Sequence, residues 1–328
     1  MRLRTVAIVA TLALGIPLGP LTADAQQPKK VQIGYLSGNP PSDTQDAIDA
    51  FRKRLHDLGY VEGQNLTIEY RYAEGKFDRL PQLAVDLVRL KMDLIFAYGT
   101  PAALAAKNAT NTIPIVFGAV ADPLTVGLVP TLTRPGGNIT GVTTINPELS
   151  AKRLGLLKEA VPTASRAAIL ANPSFKPTSS MVAETRSASH SLGVQIQVLE
   201  VRDPHELEKA FRAMILAKTD ALIVLPDPMF IAQRRRIVEL ATKNPIPAIY
   251  HLEQFVDAGG LMSYGPSYVE SFQQSATLAD KILKGAKPAS LPVEQPWRFE
   301  LVINLKTAKA LGLTMLQSLL IRADKVIQ

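Results

Sequence analysis

The chain contains no cysteine, four histidines and a single tryptophan in 328 residues. Without cysteine there is no disulfide framework, no zinc–thiolate centre, no thiol nucleophile and no lipid-attachment cysteine near the amino terminus. The short motifs of common chemistries are missing too: there is no Gly-x-Ser-x-Gly elbow, no Walker loop, no Gly-x-Gly-x-x-Gly and no His-Glu-x-x-His. No catalytic group, metal site or cofactor is therefore expected. His56 and His190 fall near predicted helix ends before Gly59 and Gly193, where the helix dipole favours an exposed imidazole. His251 follows an apolar strand and precedes Glu253, which makes it the one candidate for an acid–base pair, although residues two apart do not share a helix face.

Long uninterrupted apolar runs are also absent. The longest, Val6 to Leu21, is broken by Gly15, Pro17, Gly19 and Pro20, which leaves too little helix to span a bilayer. With Arg2 and Arg4 before it and Ala23-Asp24-Ala25 after it, this stretch reads as a signal peptide over residues 1–25, with the mature chain starting near Gln26. The expected location is the periplasm. The net charge of +7 is spread thinly, and its densest run, Arg234-Arg235-Arg236, falls within a predicted helix as a solvated face, so no nucleic-acid partner is expected.

From Val31 onward, short β-branched runs alternate with segments of helical period, the rhythm of parallel sheets covered by helices. Strands are predicted at 31–36, 66–72, 94–98, 115–117 and 139–143, and a second series at 167–171, 194–201, 221–225, 248–250 and 261–264. Ala47, Ile48, Phe51, Leu55 and Leu58 mark the first helix; Ser42 with Gln45 predicts its capping box and Gly59 its left-handed stop. With 47% hydrophobic residues the chain can bury two ordinary cores, and no Gly/Ser-rich or charged spacer separates the halves. The fold class is α/β, with two doubly wound parallel-sheet lobes joined by short crossings.

A capping residue followed by proline recurs after the strands: Thr100-Pro101, Asp122-Pro123, Asn146-Pro147, Asn172-Pro173, Asp203-Pro204 and Asp227-Pro228. Such pairs suit helix starts, and in a parallel sheet those starts collect at the carboxyl edge, where open α/β sheets bind ligands. Tyr35, Phe175 and Tyr250 lie near the same edge and can stack on a solute. The run Arg134-Pro135-Gly136-Gly137-Asn138 precedes a strand and has no Lys-Ser/Thr partner, so it reads as a tight turn.

Several segments together resemble the ABC-transporter substrate-binding proteins whose characterised members bind aromatic amino acids. They are Gly99-Thr100-Pro101-Ala102-Ala103; Ile113-Pro114-Ile115-Val116-Phe117 leading to Asp122-Pro123; Arg134 to Val142; and Pro292-Val293-Glu294-Gln295-Pro296 followed by Phe299 to Ala308. One departure is visible, where Gly312-Leu313-Thr314 runs into Met315-Leu316 instead of the family's Ile-Pro. The resemblance implies a type I periplasmic-binding fold whose chain crosses between lobes three times, with lobe one at 31–144 plus 265–290 and lobe two at 145–264 plus 291–328. It also implies a small solute held in the cleft by hinge closure, a monomer, and an ABC permease as partner. The candidate ligand-binding residues are Tyr35, Ser37, Gly99, Thr100, Asp122, Asn172, Phe175, Asp227 and Tyr250. The Thr100 hydroxyl with the N–H groups of Ala102 and Ala103 suits a carboxylate, and Asp227, preferred to Asp122, suits an ammonium group. Two other classes stay open on the sequence: a sensory receptor of the same fold, and a periplasmic hydrolase using His251 with Glu253.

Overall fold

The computed structural model describes residues 30–328, which form two sheets. The expected signal segment lies outside the described residues, and no described helix is long and apolar enough to cross a membrane. In chain order the first half runs β1 (Val31–Ser37), α1 (Gln45–Asp57), β2 (Leu66–Tyr72), α2 (Leu80–Arg89), β3 (Leu94–Tyr98), α3 (Thr100–Ala109), β4 (Ile115–Val120) and β5 (Ile139–Thr143). Its strands pair in parallel in the order β2-β1-β3-β4-β5, a doubly wound arrangement. Period-two alternation sends Leu94, Phe96 and Tyr98 of β3 to one core and Ile95 and Ala97 to the other, so helices are needed on both faces.

The second half continues with α4 (Asn146–Ala160), β6 (Arg166–Ala171), α5 (Thr178–Leu192), β7 (Gln195–Glu200), α6 (Leu207–Leu216), β8 (Ala221–Val224), α7 (Pro228–Ala232), α8 (Arg234–Lys243), β9 (Ala248–Tyr250), α9 (Glu253–Asp257) and β10 (Met262–Pro266). It ends with α10 (Tyr268–Leu283), β11 (Phe299–Asn304), α11 (Leu305–Ala310), α12 (Gln317–Arg322) and β12 (Lys325–Ile327). The second sheet has the order β12-β11-β10-β9-β8-β6-β7, parallel except where β11 runs antiparallel to β10. Phe272, Ala276 and Ala279 of α10 return to the core of the first sheet beside Phe51 of α1.

The chain thus passes between the sheets three times: from β5 into α4, from β10 into α10, and before β11. Residues 291–295, which the sequence assigns to the second lobe, run beside β5: the Glu294 N–H donates to the Gly141 carbonyl at 2.9 Å, and Val293 is buried in the first lobe's core. The predicted capping box does not form, because α1 starts after Thr44 and the Ser42 hydroxyl donates to Asp43 instead. Gly59 does take the left-handed conformation, with φ +95°.

Two backbone features sit where the lobes meet. Ala119, with φ +56°, lies in a register shift between β4 and β5, and Ile145, with φ +42°, turns the chain into α4. Left-handed non-glycine residues are uncommon and tend to mark functional or crossing points. At the second crossing, a Cβ on Gly265 would lie 2.0 Å from the His251 carbonyl oxygen, closer than any relaxed contact allows. Gly265→Ala is expected to cost about 3 kcal/mol in urea unfolding by forcing this crossing away from β9. An unchanged midpoint would show that the crossing yields freely.

Candidate functional site

Between the two sheets, at the ends of their parallel strands, lies a cleft lined from both lobes. The first lobe contributes Asn39, Phe77, Tyr98 and the start of α3; the second contributes Phe175, Asp227, Ile231 and His251; Asn146 and Tyr268 come from the crossings.

The α3 terminus is built by strand geometry. β3 ends at Tyr98, Gly99 turns at φ +81°, and Thr100 is the first helical residue, its hydroxyl oxygen accepting the Ala121 N–H at 3.2 Å. Pro101 has no N–H, and that of Ala103 goes to the Gly99 carbonyl at 3.0 Å, so Ala103 cannot serve a solute as the sequence reading suggests. The N–H groups of Thr100 and Ala102 are left without a partner among the described residues, at the positive end of the helix dipole.

Asp227 is the one carboxylate lining the cavity among the described residues, and only 3% of its surface is exposed. Its Oδ1 caps α7, accepting the N–H groups of Met229 and Phe230 at 2.8 and 3.2 Å, while Oδ2 accepts Asn172 Nδ2 at 3.1 Å. Burial outweighs these bonds and pushes its pKa up to about 6.

At the crossings, Asn146 Nδ2 donates to the Thr144 hydroxyl at 2.7 Å and Oδ1 accepts Arg153 Nη2 at 2.8 Å. Those two bonds fix the amide, leaving one N–H for the cavity. Arg153 is fully buried, donates from Nε to the Tyr264 carbonyl at 2.7 Å, and among the described residues has neither a carboxylate partner nor any partner for Nη1. Burial lowers its pKa to about 9. Neither ring nitrogen of His251 has a partner among the described residues, and burial, aided by the charge of Arg153, holds its pKa well below the ordinary value, so the ring is neutral. One further contact joins the lobes: Arg234 Nη1 and Nη2 donate to Asp43 Oδ2 and Oδ1 at 3.0 and 2.8 Å. The expected solvated face is thus only partly so, for Arg234 is largely buried in this pair while Arg236 binds Glu208 and Glu239 at the surface.

Of the predicted site residues, Gly99, Thr100, Phe175 and Asp227 line the cavity, and Asn172 stands behind Asp227. Ser37 is buried one step away, bonded to the backbone of Asn39, which does face the cavity. Tyr35 packs in the core among Tyr70, Tyr72 and Phe96, and Tyr250 stacks on Phe255 with centroids 4.7 Å apart. Both lie within their strands, and their side chains go to the packed faces of the sheets. Asp122 accepts the Thr125 N–H in a turn off the cavity. The His251–Glu253 pair is not formed: Glu253 binds Lys325 instead. Asn39, Phe77, Asn146 and Tyr268 are further lining residues, and Asn39-Pro40 carries the same cap–proline signature as the six pairs read from the sequence.

A cavity between two α/β lobes, with an anion-favouring helix terminus, one carboxylate and aromatic walls, defines a solute-binding protein of the two-lobed type. The profile of the family described as ABC transporter substrate binding protein matches residues 41–327, and the chain belongs to that family. It is 31% identical over 296 residues, 90% of this chain and 84% of the relative, to the tyrosine-binding protein of Clostridioides difficile (strain R20291). An ABC domain from Streptococcus pneumonia in complex with L-Trp has 27% identity and a TM-score of 0.85, covering 91% of this chain and all of that one. A ligand-free, open structure of a substrate-binding protein with adhesive properties from Clostridium difficile, also 27% identical, covers 91% of this chain and 99% of that one with a TM-score of 0.70.

The raised pKa of Asp227 sets a pH dependence. Unfolding returns the carboxyl from about 6 to 3.8, so the folded state binds its proton more tightly, and this group destabilises the unliganded protein above about pH 6 by roughly 3 kcal/mol. The penalty fades as pH falls toward about 4. In urea unfolding, the stability of Asp227→Asn relative to wild type should therefore be most favourable near neutral pH and decline on acidification, whereas a pH-independent difference would contradict the assignment. Asp227→Ala, which removes the α7 cap altogether, should cost about 1 kcal/mol more than Asp227→Asn.

Proposed function

We propose that this protein is an exported receptor of an ABC import system that captures an aromatic amino acid between its lobes and presents it to a membrane permease. Asp227 carries the reading, because it is a buried carboxylate in a cavity that offers it no cation. An amino acid would supply one: its ammonium group pairs with Asp227 Oδ2, while its carboxylate reaches the N–H groups of Thr100 and Ala102 on the opposite lobe. Phe77, Tyr98, Phe175 and Tyr268 surround the space left for a ring. A zwitterion bridging the lobes ties binding to closure, which is how a receptor of this type signals occupancy.

Two observations support closure. At equal identity, the chain superposes better on the L-Trp complex than on the ligand-free, open relative. The Asp43–Arg234 pair bridges the lobes and can form only when they are together, so it acts as a latch on the closed state. Export through the signal segment, a periplasmic location, a monomeric state and two discontinuous lobes, one of 31–144 plus 265–295 and the other of 145–264 plus 296–328, belong to the same proposal.

Isothermal titration with L-tyrosine, L-tryptophan and L-phenylalanine tests it. Binding is expected at neutral pH and should weaken about tenfold per unit as pH falls below about 6, because protonating Asp227 removes the partner of the ammonium group. Asp227→Asn should weaken binding by about 1.5–3 kcal/mol and abolish the pH dependence. Binding by that variant equal to wild type would remove the ammonium contact from the account. Asp43→Asn, remote from the solute, should raise the dissociation rate while leaving the association rate near wild type.

A further inference from the structure

His251 does not take part in the zwitterion clamp, yet it is the least satisfied polar side chain on the cavity wall. It is 1% exposed, and both ring nitrogens lack a hydrogen-bond partner among the described residues. Buried polar atoms are almost always paired, so a ring left bare on both sides marks a place where something absent from the fold completes the bonding. Among the described residues no protein group bonds the ring: Phe255 lies against it with centroids 5.5 Å apart, and Arg153, whose charge acts on it, bonds Tyr264 and Asn146 and directs its unpaired Nη1 to no acceptor.

The location is equally specific. His251 and Tyr268 line both the interlobe cavity and a second, adjoining cavity bordered by Asp46, Glu253, Asp257 and Glu270, so these two residues form the partition between them. A solute anchored at Asp227 and the α3 terminus and extending along the aromatic walls stops at that partition. A neutral imidazole has one donor and one acceptor, and here both are buried in the partition without a partner among the described residues. A hydroxyl group is both donor and acceptor and can satisfy either nitrogen, whereas a bare phenyl ring satisfies neither.

Resting on the aromatic-amino-acid reading, we propose that His251 is a specificity-determining residue that hydrogen-bonds a polar group on the distal end of the solute's ring, so that the site selects a hydroxylated aromatic amino acid over its unsubstituted analogue. A site built to bond a hydroxyl discriminates strongly against the analogue lacking it, because the buried partner is then left unpaired. The partition explains why the discrimination falls on His251: Tyr98 and Tyr268 meet edge to face, with centroids 6.1 Å apart, and supply ring contacts common to both solutes.

The test is calorimetric titration of wild type, His251→Phe and His251→Gln with L-tyrosine and L-phenylalanine, read as the ratio of the two affinities within each protein. Wild type should prefer L-tyrosine by about tenfold or more. The ratio should fall to about one in His251→Phe and stay clearly above one in His251→Gln, whose amide keeps a donor and an acceptor. L-Phenylalanine binding with no tyrosine preference in wild type, or a preference that survives in His251→Phe, overturns the His251 assignment alone. Failure of folded wild type to bind either amino acid overturns the aromatic-amino-acid reading and this assignment together. Should His251→Phe fail to fold, the wild-type ratio and that of His251→Gln still decide the matter.

Discussion

One buried guanidinium joins two of the three crossings between the lobes. Arg153 reaches from α4 to the Tyr264 carbonyl in β10 and to the side chain of Asn146, the first residue after the opening crossing. Truncating it would leave both acceptors unpaired in the interior, a cost that large-to-small surface changes never carry. Much of the cavity wall inherits its position from this tie. Ile145 is held left-handed beside it, Asn146 is oriented by it, and the approach of Gly265 to the His251 carbonyl closes the adjoining turn. The charge of Arg153 also acts on the neighbouring imidazole, reinforcing the neutral state that burial imposes.

Elsewhere in the fold, hydrogen bonding is largely complete: the strands are paired, Asn304 caps α11 and Ser267 caps α10. Tyr35, Arg153, Gln254 and Gln274 each keep a buried atom unpaired away from the cavity, and several further groups lack partners at the cavity itself. The helix donors at α3, the remaining acceptor capacity of Asp227, the second amide N–H of Asn146 and the two nitrogens of His251 all border it. These groups come from both lobes and from the crossings, so no single lobe can satisfy a solute alone. A protein that leaves such groups unpaired sacrifices some stability of its empty closed form and regains it on binding, which couples occupancy to the arrangement of the lobes.

The architecture was legible because its signals are local. A fully buried parallel strand such as Leu94–Tyr98 is apolar on both faces, and the helical period of Ala47 to Leu55 follows from packing one face on a sheet. The site was half legible. Cap–proline pairs pointed to the sheet edges that border the interlobe cavity, but they differ in use: Asp227 and Asp203 cap as expected, Asn172 and Asp122 bond within turns, Thr100 accepts the Ala121 N–H, and Asn146 bonds Thr144 and Arg153. Tyr35 and Tyr250 fall inside strands whose bounds the sequence already indicated, but which face each side chain takes is decided by packing against distant partners such as Tyr70, Tyr72 and Phe255, which the strand pattern does not mark. The pairing of Arg234 with Asp43, 191 positions earlier, leaves no local trace at all.

The central claim is that a solute bridges the lobes, with its ammonium group on Asp227 and its carboxylate at the start of α3. A crystal structure of the protein grown with L-tyrosine measures this directly. The account predicts solute density in the interlobe cavity, the amine within hydrogen-bonding distance of Asp227 Oδ2 and the carboxylate on the N–H groups of Thr100 and Ala102. Density for L-tyrosine outside the cavity, or seated within one lobe with Asp227 left uncontacted, would contradict it.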